Sequence, residues 1–173
     1  MMNWIPPPGS LTENPPEISV RGAGTEFISN SEEETFYIGK KIAGILTNGS
    51  IVALSGTLGS GKTCLAKGIA CGLGIGETIT SPTYTIISEY SLPNLTGKKW
   101  HTNQPVLYHI DAYRLDNEED FEQIGGSEII NSGGIIIIEW SERIKKSLPD
   151  KIISITLEIS GPASRVIKVK EQM

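Results

Sequence analysis

The stretch IVALS (51–55), GTLGSGKT (56–63), continuing into KTCLAKGIACGL (62–73), decides how the chain is read. IVALS is a continuous apolar run of the kind found in a strand buried on both faces. In the third segment Leu65, Ile69 and Leu73 recur at i, i+4 and i+8, so it reads as a helix with one apolar face. GTLGSGKT between them has the form G-x-x-x-x-G-K-[ST], in the strand–loop–helix context that a phosphate-binding loop requires. Each residue type has a physical reason. Gly56, Gly59 and Gly61 let the backbone turn tightly and approach an oxygen closely. The backbone N–H groups of Thr57, Leu58, Gly59, Ser60, Gly61, Lys62 and Thr63 can then converge into an anion nest at a helix N-terminus. Lys62 sets a full positive charge beside the β- and γ-phosphates, and Thr63 offers a hydroxyl to Mg²⁺. The motif therefore predicts ATP and Mg²⁺ as ligands. Cys64 follows directly, either a thiol acidified by the helix N-terminus or a small residue packed on the sheet.

A phosphate loop needs a carboxylate on a neighbouring strand to organise the metal. VLYHID (106–111) supplies one, with Asp111 at the C-terminal end of an apolar strand, the edge where ligands bind in such sheets. GIIIIEW (134–140) supplies another: four isoleucines bury the strand and Glu139 emerges at the same edge. Glu139 is positioned either to ligate Mg²⁺ or to polarise the attacking water. Lys62, Asp111 and Glu139 are thus the candidate catalytic residues, and Thr63, Asp111 and Glu139 the candidate metal ligands. In SPTYT (81–85), Ser81 and Thr83 are hydroxyl donors where many such proteins carry a nucleotide-sensing switch. Trp140 is either a core residue or a face near the nucleotide. His109 reads as a packed strand histidine in preference to a base. Arg114 is suited to a phosphate, to a partner carboxylate or to a surface ion pair.

Outward from this centre the elements alternate. TEFIS (25–29) reads as a strand. Ser31 and Glu34 have capping-box spacing, which predicts a helix running through Phe36, Ile38, Ile42 and Leu46 and ending near Asn48-Gly49. TYTIISEYSL (83–92) reads as a strand, the following stretch to residue 105 as a loop, DNEEDFEQIG (116–125) as an acidic helix and SERIKKSL (141–148) as a short helix. KIISITLEI and SRVIKVK, around Gly161-Pro162, read as a closing antiparallel hairpin at a sheet edge. The order implies an α/β fold of the P-loop NTPase type: three layers, a central mostly parallel sheet and antiparallel strands at the edges.

The chain's 173 residues suit one domain. Residues 1–22 hold five of the ten prolines and few core formers, so a flexible arm is expected there and a single ATPase domain over 23–173. A net charge of -5 disfavours sequence-independent nucleic-acid binding as the main task. No apolar run approaches the ~20 residues that span a bilayer, and MMNWIPPPGS lacks the basic and apolar regions of a secretory signal. Two cysteines, seven apart on one helix, make no disulfide scaffold. A cytoplasmic protein is expected.

GTLGSGKT, SPTYT, HIDAYRL and IIIIEW, in that order on a chain of this size, resemble the TsaE family, small P-loop ATPases of bacterial tRNA threonylcarbamoyladenosine synthesis. The resemblance covers about residues 25–160. It implies slow ATP hydrolysis with Mg²⁺ in service of a complex whose TsaD-like and TsaB-like subunits carry the threonylcarbamoyl transfer, with tRNA engaged only indirectly. It implies that Thr63 and Glu139 associate with Mg²⁺, that Asp111 is the second carboxylate, and that Glu33, at the start of the first helix, approaches the nucleotide. The family usually carries an aspartate after the first glycine of the loop; here Thr57 stands there. Two other readings remain, a small-molecule kinase and a non-catalytic nucleotide-binding adaptor. The four arginines form no R-x-x-R lid, which weighs against the kinase. A GTPase is disfavoured because N-K-x-D and a strand-following D-x-x-G are absent.

Overall fold

A computed structural model describes residues 25–76, 79, 85–93 and 105–171. The expected arm, Ser81, Thr83 and most of the loop after residue 93 lie outside the described residues. Seven strands form one sheet: β1 (Thr25–Ser29), β2 (Ile51–Ser55), β3 (Ile87–Ser91), β4 (Val106–Asp111), β5 (Ile135–Glu139), β6 (Ile153–Ile159) and β7 (Arg165–Glu171), in the spatial order β1-β7-β6-β2-β5-β4-β3. The four central strands β6, β2, β5 and β4 run parallel. β7, β1 and β3 add antiparallel pairs at the two edges. The closing hairpin differs from expectation in one respect. β6 is an interior strand, parallel to β2 on one side and antiparallel to β7 on the other. β7 also takes β1 as its outer neighbour, a pairing of residues some 140 positions apart that no local pattern encodes.

Helices cover both faces. α1 (Glu32–Ile42) and α2 (Lys62–Gly72) pack with Val52, Leu54, Leu107, Ile135, Ile137, Ile155 and Leu157 on one side. On the other, Ile51, Ala53, Ile110, Ile136 and Ile138 meet Phe121 of α3 (Glu118–Gln123) and Ile144 of a 3-10 segment, Ser141–Ser147, that is kinked at Ile144. α4 (Gly126–Ile130) is a five-residue helix after α3, in a stretch to which the sequence pattern assigns no element. Every residue of β5 is buried. Each fully buried isoleucine there contributes about 1.5–3 kcal/mol relative to exposure, so this strand anchors the sheet between β2 and β4.

α1 begins as its capping signal predicts: Ser31 Oγ accepts from the Glu34 N–H at 3.1 Å. The reciprocal bond lands one residue earlier than the motif specifies, with Glu34 Oε2 accepting from the Asn30 N–H at 2.7 Å. The helix is also shorter than expected, giving way to a 3-10 turn over Ala43–Ile45. β3 starts only at Ile87, because Ile86 takes a left-handed conformation (φ 64°) that breaks the extended run. α1 and α2 cross at very close range, made possible by Gly39, Gly68 and Gly72 at the contact. No helix among the described residues is long and apolar enough to cross a membrane.

Candidate active site

β2, β4 and β5 all end at one edge of the sheet, and the register there pairs Asp111 with Glu139 and Leu54 with Glu139. Loop 56–63 leaves β2 at this edge and enters α2 through Gly61, a left-handed cap residue (φ 100°) that brings no side-chain acceptor to the first turn of the helix. A cavity of about 760 Å³ opens here, lined by Leu58, Gly59, Gly61, Lys62, Thr63 and Cys64 from the loop and α2. Asp111, Tyr113, Glu139 and Trp140 line it from the strand ends, and Glu32, Thr35 and Arg165 from α1 and β7.

Lys62 lies back across its own loop. Its Nζ donates to the carbonyls of Gly56 at 2.7 Å and Thr57 at 3.0 Å, and sits 3.6 Å from the centre of the Trp140 ring. Burial pushes the Lys62 pKa down, while the charges of Glu139, Glu142 and Asp111 pull it back up. Glu139, 2% exposed, is held from two sides. Its Oε2 accepts from the Thr63 hydroxyl at 2.8 Å, and its Oε1 lies 2.9 Å from His109 Nε2. Asp111, also buried, accepts the Tyr113 N–H at 3.0 Å through Oδ1 and so caps the 3-10 turn Ala112–Arg114. Ser60 is fully buried, and its Oγ has no hydrogen-bond partner among the described residues.

Trp140 adopts a left-handed backbone (φ 58°, ψ 37°) where the chain turns from β5 into the 3-10 segment. For a bulky residue that costs on the order of 1–3 kcal/mol. The conformation carries the indole to the cavity wall, against Lys62 and the Tyr113 ring, whose centroid is 4.9 Å away. Cys64 donates to the Glu32 carbonyl at 3.2 Å, and burial with the nearby Glu32 charge pushes its thiol up to about 12. The thiol is therefore not acidified by the helix N-terminus.

A family model described as "Threonylcarbamoyl adenosine biosynthesis protein TsaE" matches residues 29–167. The chain belongs to the TsaE family. The "tRNA threonylcarbamoyladenosine biosynthesis protein TsaE" of Treponema pallidum is 39% identical over 142 residues, covering 82% of this chain and 97% of that one. Its namesake from Bacillus subtilis is 37% identical over 135 residues, 78% of each. The crystal structure of Bacillus subtilis YdiB superposes with a TM-score of 0.69 at 29% identity, covering 90% of both chains.

Within this TsaE-family fold, the sequence-predicted residues fall into three groups. Leu58, Gly59, Gly61, Lys62, Thr63, Asp111, Glu139 and Trp140 come together on the cavity. Thr57 and Ser60 sit in the loop but not on the cavity wall, Thr57 meeting Lys62 through its carbonyl. Glu33 is exposed and is not among the lining residues, whereas Glu32, one position earlier, is. Its own backbone N–H and Ser31 hold the Glu33 carboxyl below its usual pKa, a helix-terminus effect. Arg114 is exposed and off the cavity. Sequence reasoning missed Thr35 and Arg165. Thr35 sits one helical turn from the cap and carried only a helix-position signal. Arg165 lies more than 100 residues from the loop, yet a Cβ on Gly61 would stand 3.5 Å from its Nε. Only the sheet order brings it there.

Proposed function

We propose that the chain binds ATP with Mg²⁺ at loop 56–63, hydrolyses it, and uses the cycle to drive a TsaD–TsaB-like complex. The wider setting, tRNA threonylcarbamoyladenosine biosynthesis, follows from family membership. The observation that carries the ATP reading is the meeting of Lys62, Thr63, Asp111 and Glu139 on one cavity at the mouth of a glycine-rich strand–helix loop.

The residues present fit a nucleotide and its metal. The α2 N-terminus has no side-chain cap, so its first N–H groups are suited to an anion. Behind the cavity wall, the Ser60 hydroxyl is a further buried polar group in the loop, without a partner among the described residues. Among the described residues Lys62 is bound by loop carbonyls and an aromatic face, so its charge can turn to phosphate without breaking an ion pair at contact distance with them. Glu32, Asp111 and Glu139 outnumber Lys62 and Arg165 on the wall, a balance that suits a divalent cation. Among the described residues no group of three His, Cys, Asp or Glu side chains forms a metal cage. Mg²⁺ needs none, because one or two protein ligands with phosphate oxygens and water complete its shell.

Thr63, Asp111 and Glu139 would hold the metal, which when bound supplies positive charge to the β- and γ-phosphate oxygens. Lys62 opposes the charge that develops there. Thr63 keeps its proton directed at Glu139, which leaves the hydroxyl lone pairs for the cation. Glu139, buried and doubly anchored, can also orient a water molecule. Trp140 and Tyr113 shield one side of the cavity from bulk water. With a net charge of -5, the chain is not expected to hold tRNA by itself, so the tRNA is reached through partners. Of the arginines in the described residues, only Arg165 lines the cavity, which gives the kinase reading little support.

Calorimetry with ATP·Mg²⁺ tests the nucleotide site. Wild-type chain should bind, and Lys62→Ala should lose a hundredfold or more in affinity, on the order of 3 kcal/mol. Equal affinity would refute the reading. The partner arm is tested by binding to a reconstituted TsaD–TsaB-like complex with ADP, a non-hydrolysable ATP analogue or no nucleotide. Equal affinity in all three states would refute a nucleotide-gated cycle, since a ligand without differential affinity shifts no population.

A further inference from the structure

His109 is fully buried at the middle of β4, and two positions before Asp111 it lies on the same face of the sheet. Its Nε2 stands 2.9 Å from Glu139 Oε1, while the Thr63 hydroxyl takes Oε2 at 2.8 Å. Residues from β4, β5 and α2 thus form one continuous line, His109–Glu139–Thr63. A carboxylate in its ionised form can only accept, and with Glu139 in that form the proton of the first contact sits on His109 Nε2. His109 Nδ1 is buried without a hydrogen-bond partner among the described residues. A histidine kept only to fill space would leave that nitrogen unsatisfied, a cost that a leucine avoids. The cost is offset only through the nitrogen that does have a partner.

We propose that His109 is the positioning residue of Glu139: its Nε2–H fixes one carboxylate oxygen, so that the other faces Thr63 and the cavity. This rests on the ATPase reading above and deepens it. Glu139 has three side-chain torsions and stands at a strand end, so a single contact from Thr63 does not set the carboxylate plane. Two contacts from opposite sides do. Without the His109 donor, a nearly buried carboxylate oxygen loses its partner and the group turns to find another, carrying Oε2 away from the hydroxyl. Metal-site carboxylates held by such outer partners typically lose about 10–100-fold in activity when the partner is removed.

The test compares His109→Leu, which keeps bulk and removes the donor, with His109→Gln, whose amide nitrogen can stand where Nε2 stood. In single-turnover ATP hydrolysis by the full chain, Leu should lower the rate by about 10–100-fold with ATP affinity nearly unchanged, and Gln should restore most of it. A second readout needs no nucleotide. The chain has two histidines, so in a His101→Gln background the imidazole ¹⁵N spectrum reports His109 alone. The spectrum should show a protonated Nε2 and a bare Nδ1, with the Nε2 signal shifting in Glu139→Gln. A wild-type rate in His109→Leu, no rescue by Gln in a folded variant, or a ring protonated only at Nδ1 would each overturn the proposal. A wild-type chain that turns over no ATP would overturn the proposed function instead, and the ring spectrum would still decide whether His109 holds Glu139.

Discussion

Replacing Gly68 by alanine adds one methyl group at the tightest point of the α1–α2 contact. A Cβ there would meet the Phe36 carbonyl carbon at 2.8 Å, its oxygen closer still, and Gly39 Cα at 3.1 Å. These are backbone atoms, which cannot swing aside as a side chain does. α1 would have to retreat by roughly an ångström, and overpacking of this kind costs about 1–3 kcal/mol. Separating the helices also loosens Ile38, Ile42, Leu65 and Ile69, all buried in the same cluster. At about 24 cal/mol per Å³, opening 50–100 Å³ there adds roughly 1–2.5 kcal/mol. Alanine's better helix propensity returns about 1 kcal/mol. The net expectation is a loss of about 1–4.5 kcal/mol in urea unfolding, with the m-value unchanged. Gly44→Ala is the internal control, since a Cβ at Gly44 meets nothing within 4 Å. It should fall within about 0.5 kcal/mol of wild type. The same crossing sets the distance between Glu32 and Thr35 on α1 and Lys62 and Thr63 on α2, so Gly68→Ala should also weaken ATP binding in calorimetry. Gly68→Ala as stable as Gly44→Ala would refute the close-packing argument.

Asp111→Asn and Glu139→Gln should leave the far-ultraviolet circular dichroism unchanged and cut ATP hydrolysis on the order of a hundredfold or more. Near-normal turnover in both would mean that these carboxylates only cap and brace the strand ends. Iodoacetamide at pH 8 should modify the exposed Cys71 and spare Cys64, whose thiol is pushed up to about 12. Mass spectrometry finding Cys64 labelled in the folded chain would contradict this. Because Cys64 holds its proton in the folded state above its ordinary 9.0, the unfolded chain loses that proton first. This contribution is therefore complete below pH 9.0 and is lost as pH rises toward 12. Cys64→Ala should flatten that decline. Lys62, shifted down from 10.5, acts in the opposite sense, its folded-state cost easing as pH rises toward 10.5.

What the sequence determined by itself was local chemistry. Loop 56–63 was legible because its spacing, its glycines and its flanking strand and helix are contiguous. Asp111 and Glu139 were legible because an acidic residue ending an apolar run marks a strand's C-terminal edge, and parallel strands share that edge. The alternation of strands and helices set the fold class. What only the tertiary structure decided depends on residues distant in the chain. β6 joined the parallel sheet because β2 offered its free edge, and β1 closed onto β7, neither being encoded in hairpin spacing. That order delivered Arg165 to the loop. The close crossing of α1 and α2 put Glu32, and not the adjacent exposed Glu33, on the cavity, a difference of one helical position of about 100° that no sequence motif resolves. The His109–Glu139–Thr63 line arose in the same way. Each of the three side chains is ordinary in its own element, and only the stacking of β4, β5 and α2 at one sheet edge makes them a unit.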